Sequence, residues 1–332
     1  MTSCLVTGAT GYIGSRLVAA LARAGTRVTA TARDTGKLDH FDFPDEVRRV
    51  ELDVSDEGSC RSAFASAREE HDGNPVTVAY FLVHSIGEGD FAEHDLESAR
   101  IFAHAAREAG VRRVVYLGGF VPQDEELSEH LESRADVGDA LGEAGVELVW
   151  LRAAIVLGAG STSFELIRHI ADRVPVIPLP TWMNHPVAPV AVDDVLHHLQ
   201  AAAEPGRLPA GAYDISCGEH PTYSELIKAY ASSREKHRLW LPFPPVPPAV
   251  VATVASWLTP LPRELTADLV MSLPNSMDTR DDRLRSIVGD KAGGPTTVEQ
   301  ALHRSTVPDP LRGVFATTDP LQLVDTDPDW SG

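Results

Sequence analysis

Thr7-Gly8-Ala9-Thr10-Gly11-Tyr12-Ile13-Gly14 is the stretch that decides the fold. Its three glycines recur at GxxGxxG spacing, directly after the apolar run Cys4-Leu5-Val6 and directly before an amphipathic run from Ile13 to Ala24. A strand, a tight turn and a helix in that order make a phosphate cradle. Gly8 permits the sharp turn, Gly11 lets the backbone approach a pyrophosphate, and Gly14 lets the helix pack close to the strand. The helix N-terminus adds free N–H groups and the positive end of its dipole. Thr10, Tyr12 and Ile13 complete the cofactor-binding turn.

Outward from the turn, short apolar runs alternate with longer amphipathic ones. Strands are expected at 28–32, 47–52, 76–83, 114–117 and 146–151, and helices at 59–70, 90–109 and 128–144. Gly25, Gly110 and Gly145 each stand where a helix should stop. Strands apolar on both faces and separated by helices imply a parallel sheet covered on both sides. The expected fold class is therefore α/β, a Rossmann-type doubly wound parallel sheet with a smaller C-terminal substrate lobe. Residues 1–157 read as the NAD(P)-binding domain. Residues 158–330 read as mainly a substrate-binding lobe, partly returning to the first domain, because prolines cluster there and strand signals become short. The Asp-, Thr- and Pro-rich stretch after Pro308 reads as a segment that wraps the surface or is partly loose.

The strand ends locate the cofactor. Nineteen residues after Gly14, where an NAD site places an acid on the ribose, the chain has Arg33. A guanidinium there pairs with a 2′-phosphate, with Lys37 assisting, so NADP(H) is favoured over NAD(H). The alternative is a solvated Arg33 with Asp34 on the ribose. Asp53 and Val54 follow the third strand and suit the adenine edge. Leu82, Val83 and His84 close the fourth strand near the nicotinamide ribose, and Ser85 follows toward the substrate.

The 332 residues carry 29 Lys+Arg against 48 Asp+Glu, a formal charge of −19. Such a chain is repelled by phosphate backbones and anionic membranes, so no nucleic-acid partner is expected. Three dispersed cysteines imply neither disulfides nor a metal site. The N-terminus has no signal-peptide pattern, and a cytoplasmic location without membrane insertion is expected. Ala249 to Leu258 is the most apolar stretch, bracketed by prolines and too short to span a bilayer. It reads as a short helix walling an apolar pocket. The alternative is an exposed membrane-contact helix, against which stands its lack of a basic face.

Thr7 to Gly14, Leu52-Asp53-Val54, Tyr116-Leu117-Gly118-Gly119, Leu151-Arg152, Val190 to Val195 and Tyr213 to Ser216 together resemble the extended short-chain dehydrogenase/reductases. More narrowly the chain resembles their atypical branch, the NmrA-like and actinobacterial NAD(P)H-binding proteins. The resemblance runs to about residue 230 and implies the fold and the cofactor. It implies a Tyr-x-x-x-Lys pair and a serine that this sequence lacks. Gly118-Gly119 stands at the serine, and by alignment on Ser133 His130 stands at the tyrosine and Arg134 at the lysine. Imidazole serves as acid or base near neutrality, and arginine keeps its charge but does not shuttle protons. Tyr116 reads as a core-facing ring and Asp193 and Asp194 as helix caps. Gly119, Trp182 and His185 are candidates for the substrate mouth. The implied function is an NAD(P)H-dependent oxidoreductase acting on a small carbonyl, enone or quinone-like substrate. The alternatives are a non-catalytic NADP(H)-binding sensor and an epimerase or lyase using bound cofactor. The family also implies a homodimer through its long helices.

Overall fold

The computed structural model describes residues 2–71, 73–83, 91–121, 129–244, 246–279 and 281–331; the side chains of 91–92 and 129–133 are also outside the described set. The first half runs β1 (Ser3–Val6), α1 (Tyr12–Arg23), β2 (Arg27–Ala32), β3 (Arg48–Glu51), α2 (Glu57–Glu70), β4 (Val78–Phe81), α3 (Phe91–Glu108), β5 (Arg113–Gly119), α4 (Glu129–Glu143) and β6 (Glu147–Ala153). The second runs β7 (Ile155–Leu157), α5 (Thr162–Arg173), β8 (Val176–Pro180), β9 (Pro189–Ala191), α6 (Val192–Ala203), β10 (Gly211–Ile215), α7 (Tyr223–Ser233), β11 (Leu239–Phe243), α8 (Pro248–Leu258), α9 (Arg263–Ser272), α10 (Arg283–Val288) and α11 (Val298–Arg304).

Seven strands form one parallel sheet in the order β10-β6-β5-β4-β1-β2-β3. β1 lies between β2 and β4, with Val6 opposite Ala30 on one side and Tyr80 on the other. The strand order reverses there, so the crossovers diverge and leave a crevice at the carboxyl end of β1. The chain fills that crevice with Gly8 to Gly14. Alternation along each strand divides the core into two layers. Cys4, Val6 and Tyr80 pack with Leu17 and Val18 of α1, whereas Leu5, Phe81 and Tyr116 pack with Phe64 and Phe102 of α2 and α3. The fold is thus the Rossmann-like α/β sheet expected from the sequence. A 3-10 turn at Thr35–His40 was not expected; Asp34 starts it by accepting from the Gly36 N–H at 2.9 Å.

After β6 the chain leaves the sheet, pairs β7 with β9 and β8 with β11, and returns through β10. The return is fixed by Arg152 and Asp214, register neighbours joined at 2.6 Å. Asp193 and Asp194 open α6 and hold Lys291 at 2.6 and 2.7 Å, so their charges staple a later segment.

Of the two readings of the segment after Pro308, the loose one fails: Val314, Leu321 and Val324 are core residues, and the Ala159 N–H donates to the Leu321 carbonyl at 2.8 Å. Its Asp and Pro content suggested solvent, but the buried Arg16 forks onto Asp327 at 2.7 and 2.8 Å and draws the segment against α1. Nor does α8 turn its large residues inward. Ala252 and Ala255 are its buried positions, and Trp257 is 78 % exposed. The inward stripe of α8 is alanine with the half-buried Val251, so Val250, Val254, Trp257 and Leu258 fall on the other side. No helix among the described residues is long and apolar enough to cross a membrane.

Candidate functional site

A cavity of about 430 Å³ opens at the carboxyl edge of β1, β2, β3 and β4. Gly8, Thr10, Arg33, Lys37, Asp53, Val54 and Val83, seven of the residues expected to hold a cofactor, line it together. Thr7 fixes the floor: its hydroxyl donates to the Tyr80 carbonyl at 3.0 Å and accepts from the Leu82 N–H at 2.9 Å. This ties the end of β1 to the end of β4. Leu82 contributes backbone, its carbonyl lying against Gly8.

The glycines differ in what they do. Gly8 has φ of 62°, and a Cβ there would stand 2.8 Å from the Leu82 carbonyl oxygen. A Cβ on Gly14 would stand 2.1 Å from the Gly8 carbonyl oxygen, so α1 seats on the turn only without a side chain. Gly11 has φ of −84°, and its Cβ would meet nothing but the Gly8 carbonyl oxygen, at 3.2 Å. The space above Gly11 is therefore open, beside the first turn of α1, whose leading N–H groups have no partner within the helix. Tyr12 and Ile13 form that first turn. The Tyr12 hydroxyl is buried against Gly158, where a Cβ would come within 2.2 Å, and Arg16 covers its ring at 4.1 Å. Its side chain thus points into the protein, and the cradle uses its backbone.

The adenosine end is set by charge. Arg33 and Lys37 are exposed at the rim, with no carboxylate within salt-bridge distance among the described residues. Asp34 spends one carboxylate oxygen on the 3-10 turn. Asp53 accepts from the Ser55 hydroxyl and N–H at 2.7 and 3.0 Å. The Ser55 hydroxyl bond holds its carboxyl below the usual range against the effect of burial, with Arg33 and His94 adding attraction. The carboxylate is therefore ionised and fixed as an acceptor. Sequence reading missed the wall supplied by α3: His94, Asp95 and Ser98 line the same cavity. The Ser98 hydroxyl is buried and has no partner among the described residues, which suits a polar ligand edge. Helical periodicity had no means to show it, since the tilt of α3 over the sheet is tertiary.

A second cavity of about 80 Å³ lies beyond the end of β5, lined by Gly119, Phe120, Ser163, Tyr223 and residues of α9. The Tyr223 hydroxyl is buried there without a partner among the described residues, and burial pushes it well above the usual phenol range. Gly118 faces the other way, against the Tyr116 and Trp150 rings. Arg134 is buried on α4, and its carbonyl accepts from the Tyr116 hydroxyl at 3.3 Å. Trp182 donates to the Val246 carbonyl at 2.9 Å, and His185 lies 2.6 Å from the Pro274 carbonyl. Neither lines the two cavities. His84 and Ser85, and the side chain of His130, fall outside the described residues.

The sequence model of the NAD(P)H-binding family matches residues 8–152. Among curated relatives, a ceramide reductase of Caulobacter vibrioides is 29 % identical over 196 residues, 59 % of each chain. A 3beta-hydroxysteroid-dehydrogenase/decarboxylase isoform of Arabidopsis thaliana is 28 % identical over 193 residues, 49 % of this chain and 34 % of that protein. The chain thus matches about a third to three-fifths of the length of these relatives. Among solved structures, Citrobacter sp. triphenylmethane reductase complexed with NADP(H) superposes with a TM-score of 0.71 at 18 % identity, covering 91 % of this chain and 100 % of that one. The chain thus resembles the NAD(P)H-binding family over residues 8–152, and its fold is the Rossmann-like α/β fold of that reductase.

Proposed function

We propose that this protein is an NADP(H)-dependent oxidoreductase that reduces a carbonyl, enone or quinone-like group. The observation that carries the cofactor choice is the pair Arg33 and Lys37, exposed at the cavity rim with no salt bridge among the described residues while Asp34 accepts from its own turn. Two exposed cations there match a 2′-phosphate better than a ribose diol. Gly8, Gly11 and the first turn of α1 would hold the pyrophosphate, and Asp53, Val54 and Ser98 the adenine edge. Bound cofactor supplies the hydride. The chain's part is to orient it, exclude water and provide a proton. His130, at the family's tyrosine position by resemblance, is the proposed proton carrier, with Arg134 as its charged neighbour; Tyr223 in the cavity beside Gly119 is the comparison to test against it. The names of two relatives, a 3beta-hydroxysteroid-dehydrogenase/decarboxylase and a ceramide reductase, support a carbonyl carried on a steroid or ceramide-like body as the substrate. A second reading, an NADP(H) sensor without catalysis, is favoured by one feature: Gly118 and Gly119 put no hydroxyl where the family's serine stands.

Titration of NADPH and NADH tests the cofactor. NADPH should bind at least about tenfold more tightly, and Arg33→Ala should remove most of that difference, since a charge-assisted phosphate contact is worth about 1.5 kcal/mol or more. Equal affinities untouched by Arg33→Ala would refute the assignment. Loss of turnover in His130→Ala with NADPH affinity intact separates the catalyst from the sensor.

A further inference from the structure

Nine of the twelve exposed large apolar side chains among the described residues belong to β8, β11, α8 and α9. On α8, Val250, Val254, Trp257 and Leu258 recur at helical spacing on the outer face, while Ala252 and Ala255 face inward. The strand pair continues the surface: Val176 and Leu239 are register partners, 44 % and 61 % exposed. Arg173, three residues before Val176, donates to the Leu258 carbonyl at 3.1 Å and joins strand pair to helix end. An apolar face of this extent on one lobe is more than scattered surface residues.

The charge around it runs against that of the chain. From Lys228 to Arg263 the sequence holds five Lys and Arg and one acid, Glu235, in a protein of net charge −19. Lys228 reaches over the Trp240 ring at 5.9 Å, and Lys236 neutralises Asp172 at 2.8 Å. Arg234 and Arg263 are exposed and make no ion pair among the described residues. The nearby acids of α9 are Glu264 and Asp268. Exposed charges act over roughly 10 Å at 0.1 M salt, so a surface answers to the charges beside it and not to the total. The helix itself has no basic face; Arg173 of α5 stands at its end, and Arg263 opens α9 five residues after it.

We propose that this face docks on an anionic lipid bilayer, with Trp257 and Val254 in the acyl boundary and the surrounding Arg and Lys side chains on headgroup phosphates. Behind α8, Leu269 of α9 and Leu273 just past its end line the small cavity beside Gly119. Docking would therefore bring that cavity to the membrane, where a lipid-borne carbonyl resides. That last clause rests on the function proposed above; the docking does not.

Co-sedimentation of the full chain with vesicles of phosphatidylglycerol and phosphatidylcholine, against phosphatidylcholine alone, tests it. Binding should favour the anionic vesicles and weaken in 0.5 M salt. The double variant Val254→Asn, Trp257→Ala should bind about tenfold less, and Arg173→Gln with Arg263→Gln should reduce the salt-sensitive part. NADPH affinity of each variant, read in the same preparation, shows that the sheet is intact; failure of the wild type to bind NADPH would sink the proposed cofactor and leave docking to be judged on the vesicles. Docking is overturned if neither vesicle binds, or if the double variant binds as well as wild type. It is equally overturned if the chain forms a dimer that the double variant abolishes and shows no vesicle binding.

Discussion

His198 lies 4 % exposed on α6, and its Nδ1 has no partner among the described residues. Burial pushes its imidazole down to about 4, helped by His197, Arg285 and Lys291 and opposed by Asp290. The folded chain therefore binds a proton less readily than the unfolded chain, and stability rises with pH wherever that holds. The contribution is present above about 6.5 and is lost as pH falls toward about 4. It amounts to no more than about 3 kcal/mol. Thermal melts at pH 7 and pH 5 should show a smaller difference for His198→Leu than for wild type; equal differences would remove His198 from the account. At this scale the sequence was readable where a residue's place follows from its distance from a strand end, as for Arg33, Lys37 and Asp53, which line one cavity. It was unreadable where burial decides, as with Ser98, whose hydroxyl is notable only because α3 closes over it. Tyr12 shows a third case. Spacing placed it in the turn, yet only packing shows that its ring turns away from the cavity.

The glycine turn and α1 make one element with two failure modes. Gly14 has backbone 2.1 Å from where a Cβ would be, so Gly14→Ala must move the helix off β1. It should lose roughly 1–3 kcal/mol of stability along with the cofactor. Gly11 already has an ordinary φ and an open side, so Gly11→Val should melt within a few degrees of wild type and still lose NADPH binding. Paired melts and NADPH fluorescence check both; retained binding in Gly11→Val would move the pyrophosphate elsewhere. The alternation of strands and helices through β6 was legible because apolar runs and stopping glycines repeat with each unit. α8 misled because its composition is apolar nearly all round, and composition does not say which side the small residues face. The 3-10 turn at Thr35–His40 was hidden because it is short and depends on one side-chain cap.

Across the whole molecule the nucleotide-binding half is not self-contained. Arg16 lies on α1, 2 % exposed at its side chain, and besides Asp327 it donates to the carbonyls of Pro320 and Gln322 at 2.9 and 3.1 Å. Removing the carboxylate leaves a buried guanidinium without its countercharge, a change that costs about 3–5 kcal/mol in comparable sites. Asp327→Ala should therefore lower the melting temperature and make residues 308–331 sensitive to protease, while Arg16→Met with Asp327→Leu should recover much of the loss. A double variant as unstable as the single would show that the pair is not what holds the segment. Residues 308–331 misled at the level of sequence because three core positions, Val314, Leu321 and Val324, are scattered among aspartates and prolines.

The Arg16–Asp327 fork also has a consequence in time. The two residues are separated by 311 positions. A ribosome adding about 5–20 residues per second makes the partner of Arg16 roughly 15 to 60 seconds after Arg16 itself. Throughout that interval the helix that caps the phosphate cradle carries an uncompensated charge toward what will be the interior. The nascent nucleotide-binding half would therefore stay open, or need a chaperone's shelter, until translation has delivered the segment that closes it.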